Sequence, residues 1–185
     1  ELRLYYQPII SAETGTIRGF EALVRWERPG FGLVGPDEFI RTAEDTGLIV
    51  DIGTWVLEQA CREAVTWAQR WPDRHLGVSV NVSSRQLANH DIVDLVKATL
   101  ARTGLDQSRL TLELTESTLI DDTINTQAIL CEIRNLGLNL SLDDFGTGYS
   151  SLTYLRSFPI NVVKIDKSFV RTIGTEREDT AIVSA

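Results

Sequence analysis

Three features of the amino-acid sequence predict a mixed α/β fold that closes into a barrel. Segments with strand and helix patterns alternate, with short links, over most of the 185 residues, which is typical of parallel strands joined by helical crossovers. Several of the strands carry apolar side chains on one face and polar side chains on the other. Helices would cover the apolar face, so the polar face must line an enclosed space, and a closed barrel provides one. The first two strands differ, because only residues 11–15 separate them and we expect them to pair antiparallel.

The individual elements are assigned from the same patterns. Alternating runs predict strands over residues 2–10, 16–26, 76–83, 109–115, 138–143 and 161–169. Apolar residues at steps of three and four, with glycine or proline at the ends, predict helices from Asp37 to Gly47, over 49–67, 91–103 and 122–136, near 150–156, and from about Thr175. A complete barrel of this kind takes about 250 residues. The six strands therefore predict one domain over residues 1–185 that lacks the last strands and helices of its barrel.

The composition limits the class of protein. The formal net charge is -8 and no block of Lys or Arg is present, which argues against a DNA-binding or anionic-membrane face. No apolar run approaches the roughly 20 residues that a membrane span needs. Cys61 and Cys131 form no metal-binding motif and are interpreted as reduced core residues of a cytoplasmic protein. Methionine is absent, so we expect the chain to be part of a longer protein.

Ionisable side chains lie on the polar faces of the predicted strands, toward their C-terminal ends. The residues placed at this barrel mouth are Glu21, Asn81, Glu113, Asp143 and Lys164, with Glu116 and Asp144 just beyond their strands. Barrel enzymes keep their active sites at that end. Carboxylates brought together in a cavity repel one another, and divalent cations remove the repulsion. Ligands that offer only oxygen favour Mg²⁺, Mn²⁺ or Ca²⁺. A network of structural ion pairs would produce the same pattern, and the pattern alone does not decide between them.

A pair of such metal ions would suit phosphoester chemistry. Two ions about 3.5–4 Å apart activate a water molecule and clamp a phosphodiester, and they make an acidic pocket attractive to an anion. Asp143 and Asp144 are adjacent and are expected to serve both ions, while Lys164 would orient the nucleophile or stabilise negative charge. The spacing and composition lead to metal-assisted phosphoester chemistry and do not identify the substrate.

The same residues lie in five segments that resemble the signature motifs of the EAL domain family, in the family's order. These segments are Glu21-Ala22-Leu23, Val80-Asn81-Val82-Ser83, Glu113-Leu114-Thr115-Glu116-Ser117, the run DDFGTGYSSL at 143–152, and Lys164-Ile165-Asp166. The resemblance covers essentially the whole chain. It implies a TIM-like barrel whose first strand runs against the others.

The resemblance also implies an activity and a role for each residue. It implies hydrolysis of the bacterial second messenger cyclic di-GMP to linear pGpG with two Mg²⁺ or Mn²⁺ ions, Ca²⁺ giving an inhibited state. By resemblance the metal ligands are Glu21, Asn81, Glu113 and Asp143, with Asp144 on the second ion. Lys164 would contact the attacking water, and Glu116 would hold the loop after Asp143. The residues implied to contact the nucleotide are Gln7, Leu23, Arg25, Pro36 and Asp166.

Other readings remain open at this level. Some members of the family bind cyclic di-GMP without hydrolysing it, so a receptor is the alternative to an enzyme, and a non-catalytic interaction domain is a third class. The intact metal motifs favour the enzyme. The resemblance further leads us to expect a homodimer and additional sensor or cyclase domains in the parent protein, whose cytosolic part would contain this domain.

Overall fold

A computed structural model describes residues 1–88, 91–120, 123–146 and 157–171 of the chain. The strands are β1 (Leu2–Ile10), β2 (Ile17–Arg28), β3 (Gly32–Val34), β4 (Gly77–Asn81), β5 (Leu110–Thr115), β6 (Asn139–Phe145) and β7 (Val162–Ile165). They form one sheet in the order β1-β2-β4-β5-β6-β7, with the short β3 paired to the end of β2. The pair β1–β2 is antiparallel, and the pairs from β2 through β4, β5 and β6 to β7 are parallel. The predicted mixed α/β fold with an antiparallel first strand is confirmed.

Helices connect the parallel strands from β2 to β6, as the alternation predicted. They are α1 (Pro36–Thr46), α2 (Ile49–Arg70), α3 (Ser84–Ala88), α4 (Ile92–Thr103), α5 (Glu116–Ile120), α6 (Thr123–Asn135) and α7 (Lys167–Arg171), and Gln107–Arg109 forms a 3-10 turn. The short elements β3, α3 and α5 were not predicted. The helices predicted near 150–156 and from Thr175 lie outside the described residues. No helix within the described ranges has the length and hydropathy of a membrane span.

The hydrophobic core lies between the sheet and the helices. Alternate residues of β5 and β6 are fully buried on one face, with Leu112 on β5 and Leu140 on β6 near its centre. Ala60 and Ala64 of α2 have no exposed surface, and they belong to the same cluster of buried residues. Helices therefore cover the apolar face of the strands. The polar face is left to line the interior of the curved sheet, as the sequence pattern required.

Glycine permits an unusually close contact between β2 and β4. Gly19 pairs with Gly77, and a Cβ atom placed on Gly19 would lie 2.5 Å from the carbonyl oxygen of Gly77. Side-chain carbons do not approach backbone atoms so closely, so only glycine fits at position 19 without a shift of one strand. This contact lies near the N-terminal end of β4, away from the end that carries the ionisable residues.

Two expectations from the sequence are wrong in detail. The last predicted strand, 161–169, ends at Ile165 because the carboxylate of Asp166 accepts hydrogen bonds from the backbone nitrogen and the hydroxyl of Ser168, and helix α7 begins there. Cys61 is buried as expected, but Cys131 is exposed, because it lies on the outer side of α6.

Candidate metal site

Three carboxylates meet inside the curve of the sheet, where β2, β5 and β6 lie close together. One oxygen from each of Glu21, Glu113 and Asp143 lies within 4.8 Å of the other two. The Nζ atom of Lys164 on β7 donates to all three carboxylates, at 3.0, 2.6 and 2.9 Å respectively. The carboxamide of Asn81 on β4 donates to Glu21 at 2.9 Å. We call these five residues the acid cluster.

The alternation of each strand brings the acid cluster together. Asn81 and Glu113 are direct partners across β4 and β5, so their side chains leave the sheet on the same side. Glu113 in turn pairs with Ser141, and Asp143 follows two residues later on the same face of β6. The strand alternation in the sequence predicted these side chains on one shared face. Within the described residues, the structure brings them into direct contact.

A bulge in β6 sets the direction of the two consecutive aspartates. Leu142 pairs with Val163 and Phe145 pairs with Ile165, so β6 contains one more residue than β7 between these pairs. Asp144 is that extra residue, with a left-handed φ of 54°. In a regular strand the residue after Asp143 would face the helices, but Phe145 packs against the core instead. Because of the bulge, Asp144 does not turn toward the helices and stays next to Asp143.

Burial and charge act in opposite directions within the cluster. Glu113 is 2% exposed, and this burial raises its carboxyl pKa above the usual value although Lys164 opposes the change. Burial alone would lower the pKa of Lys164, but its hydrogen bond and ion pair with Glu113 outweigh that effect and raise it. Burial and the charge of Asp143 together raise the pKa of Asp144. We take Lys164 to be charged, since three carboxylate partners surround it.

The donor set of the acid cluster fits a hard divalent cation. Every potential ligand offers oxygen, and carboxylate oxygens are the ligands that Mg²⁺ and Mn²⁺ prefer. The ammonium group of Lys164 lies between the three carboxylates, so the space that they surround already stabilises a positive charge. Because the carboxylates outnumber the ammonium, negative charge remains that a further cation would neutralise. The described residues therefore include an acidic group that can bind a metal ion.

A cavity of about 760 Å³ opens directly beside the acid cluster. Asn81 of the acid cluster and the neighbouring Asp144 line the cavity, together with Leu23, Arg25 and Pro36. Residues from α1 and α2 form much of the remaining wall, among them Arg41, Glu44, Ile52 and Gly53. Ligand pockets have volumes of about 300–1,000 Å³, so a nucleotide-sized molecule is within its capacity.

The other predicted site residues take varied positions. Gln7 is the cross-strand partner of Glu21, which places both side chains on one face of the β1–β2 pair. Glu116 is buried and is the first residue of α5, directly after β5. The carboxylate of Asp166 accepts a hydrogen bond from Ser168 at the start of α7, and Asp166 is not among the residues that line the cavity.

Two residues of the cavity wall, Arg41 and Gln86, were not predicted from the sequence. The spacing of Ser83 and Gln86, which is that of a helix capping box, is the signal that identifies Gln86.

The fold and the cluster define a class of protein: an α/β barrel domain with an acidic cluster that can hold a cation, beside a ligand-sized cavity. The family model described as the EAL domain matches residues 1–185, and the chain belongs to the EAL domain family. The TIM-like barrel expected from the sequence is thereby confirmed as its fold class.

Relatives and solved structures agree with this assignment. The chain is 48% identical over 185 residues to the uncharacterized protein y4lL of Sinorhizobium fredii, and covers 22% of it. It is 44% identical over 185 residues to MucR of Pseudomonas aeruginosa, a bifunctional diguanylate cyclase/cyclic di-GMP phosphodiesterase, and covers 27% of it. The solved MucR phosphodiesterase in complex with c-di-GMP superposes with a TM-score of 0.93 at 44% identity, over 99% of this chain and 74% of that one. The EAL enzyme Bd1971, solved with cAMP and cyclic di-GMP, gives a TM-score of 0.93 at 36% identity, over 100% and 50% of the two chains.

Proposed function

We propose that this domain is a metal-dependent phosphodiesterase that hydrolyses cyclic di-GMP to linear pGpG. The observation that carries the proposal is the contact of Lys164 with three carboxylates at the edge of a nucleotide-sized cavity. Homology to MucR, whose phosphodiesterase was solved with c-di-GMP, supports the choice of substrate.

In this proposal the acid cluster supplies the metal ligands. Glu21, Asn81, Glu113 and Asp143 would hold a first Mg²⁺ or Mn²⁺ ion, and Asp144 would serve a second. When bound, the metal supplies Lewis acidity, which activates water and stabilises charge on phosphate oxygens. Ca²⁺ would bind the same oxygens but give an inhibited state, because it prefers more ligands and longer distances than Mg²⁺ does.

The remaining residues of the site act on the nucleophile and the substrate. Lys164 already donates three hydrogen bonds at the cluster, so its ammonium can orient a water molecule and stabilise negative charge that develops on the phosphodiester. Arg25 lines the cavity and would meet a substrate phosphate, with Leu23 and Pro36 beside it against the nucleotide. Glu116 would hold the loop that follows Asp143, and Gln7 and Asp166 would make further contacts to the nucleotide.

A cyclic di-GMP receptor is the second candidate function. The feature that favours it is that, of the acid cluster, Asn81 alone lines the cavity, so a nucleotide can occupy the cavity without its phosphodiester contacting Glu21, Glu113 or Asp143. The presence of Glu21, Glu113 and Asp143 around Lys164 favours hydrolysis, since binding alone does not require them.

The wider setting of the domain is also a proposal. The chain spans about a quarter of the length of the curated relatives named above. We propose that sensor or cyclase domains accompany it in the parent protein, that the barrel pairs into a homodimer, and that the domain works in the cytoplasm as part of bacterial signalling.

The test is conversion of cyclic di-GMP to pGpG by the full-length parent protein with Mg²⁺ or Mn²⁺, followed by chromatography. Glu21→Ala should abolish turnover, since it removes one carboxylate of the acid cluster. Glu58→Ala is the matched control, because Glu58 pairs with Arg62 and Arg102 on the helices and should leave turnover unchanged. Tight nucleotide binding without turnover would favour the receptor, and neither binding nor turnover would contradict both proposals.

A further inference from the structure

A short turn follows Asn81 at the C-terminal end of β4. Asn81 is the last residue of β4, and Val82 and Ser83 connect it to α3. The backbone nitrogen of Val82 donates to the carbonyl oxygen of Glu113 at 2.9 Å, which ties the start of the turn to β5. A residue at the end of a strand lacks a full ladder beyond it, so the contacts of the turn determine where its side chain points.

Gln86 holds the other end of this turn through a reciprocal set of hydrogen bonds. Its Oε1 atom accepts from both the backbone nitrogen and the hydroxyl of Ser83, each at 3.2 Å. The backbone nitrogen of Gln86 donates in return to the Ser83 hydroxyl at 3.3 Å. This is a capping box, and it is buried, because Gln86 is 6% exposed. The side chain of Gln86 therefore satisfies a backbone donor and a side-chain donor of the half-buried Ser83.

Gly53 of α2 provides the space that Gln86 occupies. A Cβ atom placed on Gly53 would lie 1.9 Å from Nε2 and 2.4 Å from Cδ of Gln86. A glycine in the interior of a helix is less favourable than alanine by about 1 kcal/mol. Gly53 lies within the 22-residue helix α2, and its contact with Gln86 explains why the helix contains a glycine at this point.

We propose that Gln86 is a positioning residue for Asn81, and that the Gln86 side chain packs against Gly53. The inference rests on the proposed function, in which Asn81 is a metal ligand. Gln86 is not a member of the acid cluster, and although it lines the cavity, the role assigned to it does not involve contact with a substrate. It acts through Ser83, and the loss of its Oε1 acceptor would release the turn and let the Asn81 carboxamide leave its place beside Glu21.

The first measurement is Mn²⁺ affinity, by titration followed by electron paramagnetic resonance, at a temperature where circular dichroism shows every variant to be folded. Gln86→Met keeps the length of the side chain but lacks the acceptor, and we expect it to weaken Mn²⁺ binding by about 10-fold or more, the usual effect of losing a residue that orients a ligand. Gln86→Glu keeps an oxygen acceptor for Ser83 and should restore most of the affinity.

Gln127→Met is the matched control for these variants. The Nε2 atom of Gln127 donates to the carbonyl oxygen of Ser157 at 2.6 Å, so the control removes a comparable hydrogen bond outside the acid cluster. A merely structural role for Gln86 would lower the melting temperature without changing metal affinity in the folded state. An equal Mn²⁺ affinity for wild type and Gln86→Met would therefore overturn the inference.

A double substitution tests the contact with Gly53 without reference to metal. Gly53→Ala alone should lower both the melting temperature and the Mn²⁺ affinity, because the new methyl group displaces Gln86. In a Gln86→Ala background the same substitution has nothing to displace, and it should be neutral or slightly stabilising. Additive effects would contradict the assigned role of Gly53. If the wild-type protein does not bind Mn²⁺, the proposed function itself is contradicted. If the wild-type protein binds Mn²⁺ and Gln86→Met binds it with the same affinity, only the positioning role of Gln86 is contradicted.

Discussion

The ammonium nitrogen of Lys164 lies 2.6 Å from Oε2 of Glu113, although the two residues are 51 positions apart in the sequence. The Glu113 side chain is almost fully buried, and the Lys164 side chain is 29% exposed. A buried carboxylate without a positive partner is strongly unfavourable. Lys164 therefore provides the positive charge that this region of the protein needs in the absence of a metal ion.

We expect Lys164→Met to destabilise the metal-free protein. Removing one partner of a buried ion pair typically lowers the free energy of unfolding by about 3–5 kcal/mol, and we expect about 2 kcal/mol here because the cluster is partly open to water. For a domain of this size the melting temperature should fall by about 4–8 °C in the presence of a chelator. Lys97→Met is the control, since Lys97 forms an exposed pair with Asp94 and should have almost no effect. Equal effects of both substitutions would show that the Lys164 contacts are not stabilising.

The same Lys164→Met substitution should strengthen metal binding. A divalent cation next to the ammonium is repelled by about 2 kcal/mol even at the dielectric constant of water, since two unit charges 4 Å apart interact by about 1 kcal/mol. We therefore expect the affinity for Mn²⁺ to rise by about tenfold or more, measured by isothermal titration calorimetry. Glu113→Gln should have the opposite effect, because it removes a ligand from the acid cluster. A loss of affinity in both variants would mean that Lys164 helps to bind the metal rather than competing with it.

The left-handed backbone of Asp144 predicts an order of stability among its variants. At a φ of 54°, glycine and asparagine are tolerated better than alanine. We expect Asp144→Ala to have a lower free energy of unfolding than Asp144→Gly by about 1 kcal/mol, measured by urea denaturation. Both substitutions remove the carboxylate that is proposed to serve a second ion, so the number of Mn²⁺ ions bound should fall by one in each. An Asp144→Ala variant as stable as Asp144→Gly would argue against the bulge in β6.

The contact between Gly19 and Gly77 predicts a position that does not tolerate a methyl group. Gly19→Ala would place a Cβ atom 2.5 Å from the carbonyl oxygen of Gly77, so β2 and β4 must move apart. We expect a loss of about 1–3 kcal/mol in the free energy of unfolding, the usual range for overpacking. The control is Gly35→Ala, where no neighbouring atom lies within 4 Å of the new Cβ, and it should cost less than about 1 kcal/mol.

The two cysteines should differ sharply in their reaction with a thiol reagent. Burial raises the pKa of the Cys61 thiol to about 12, so almost none of it is thiolate at neutral pH, whereas Cys131 is exposed. Labelling of the native protein with Ellman's reagent should modify the exposed Cys131. Cys61 should react only after denaturation. Rapid labelling of Cys61 in the native Cys131→Ser variant would contradict the packing of α2 against the sheet.

The sequence predicts which side chains reach the site wherever regular strand alternation sets their direction. Glu113 and Lys164 face the interior because their strands alternate regularly, and a period of two is visible in any sequence. The exposure of Cys131 was not predictable from helical periodicity alone, because α6 is only weakly amphipathic and the sequence does not show which neighbours it packs against. The end of β7 at Ile165 depends on side-chain hydrogen bonds to Asp166, which compete with the strand pattern and prevail locally.

The contact between Gln86 and Gly53 illustrates a different limit. The capping-box spacing can be read from the sequence, but the partner of Gln86 lies on another helix, 33 positions earlier in the chain. A glycine within a helical pattern suggests that another part of the chain packs closely against the helix, but it does not identify the contacting residue. A contact between two helices that are distant in the sequence is visible only in the three-dimensional structure.

The bulge in β6 also bears on how this family could change over evolutionary time. Asp144 is the extra residue between the pairs Leu142–Val163 and Phe145–Ile165, so its deletion would restore a regular ladder with every flanking partner unchanged. Loss of a single codon would thus remove one acidic side chain beside the acid cluster and leave the sheet intact. Under the proposed function, a descendant altered in this way would retain the barrel and the nucleotide-sized cavity, and could persist as a nucleotide sensor without hydrolysis.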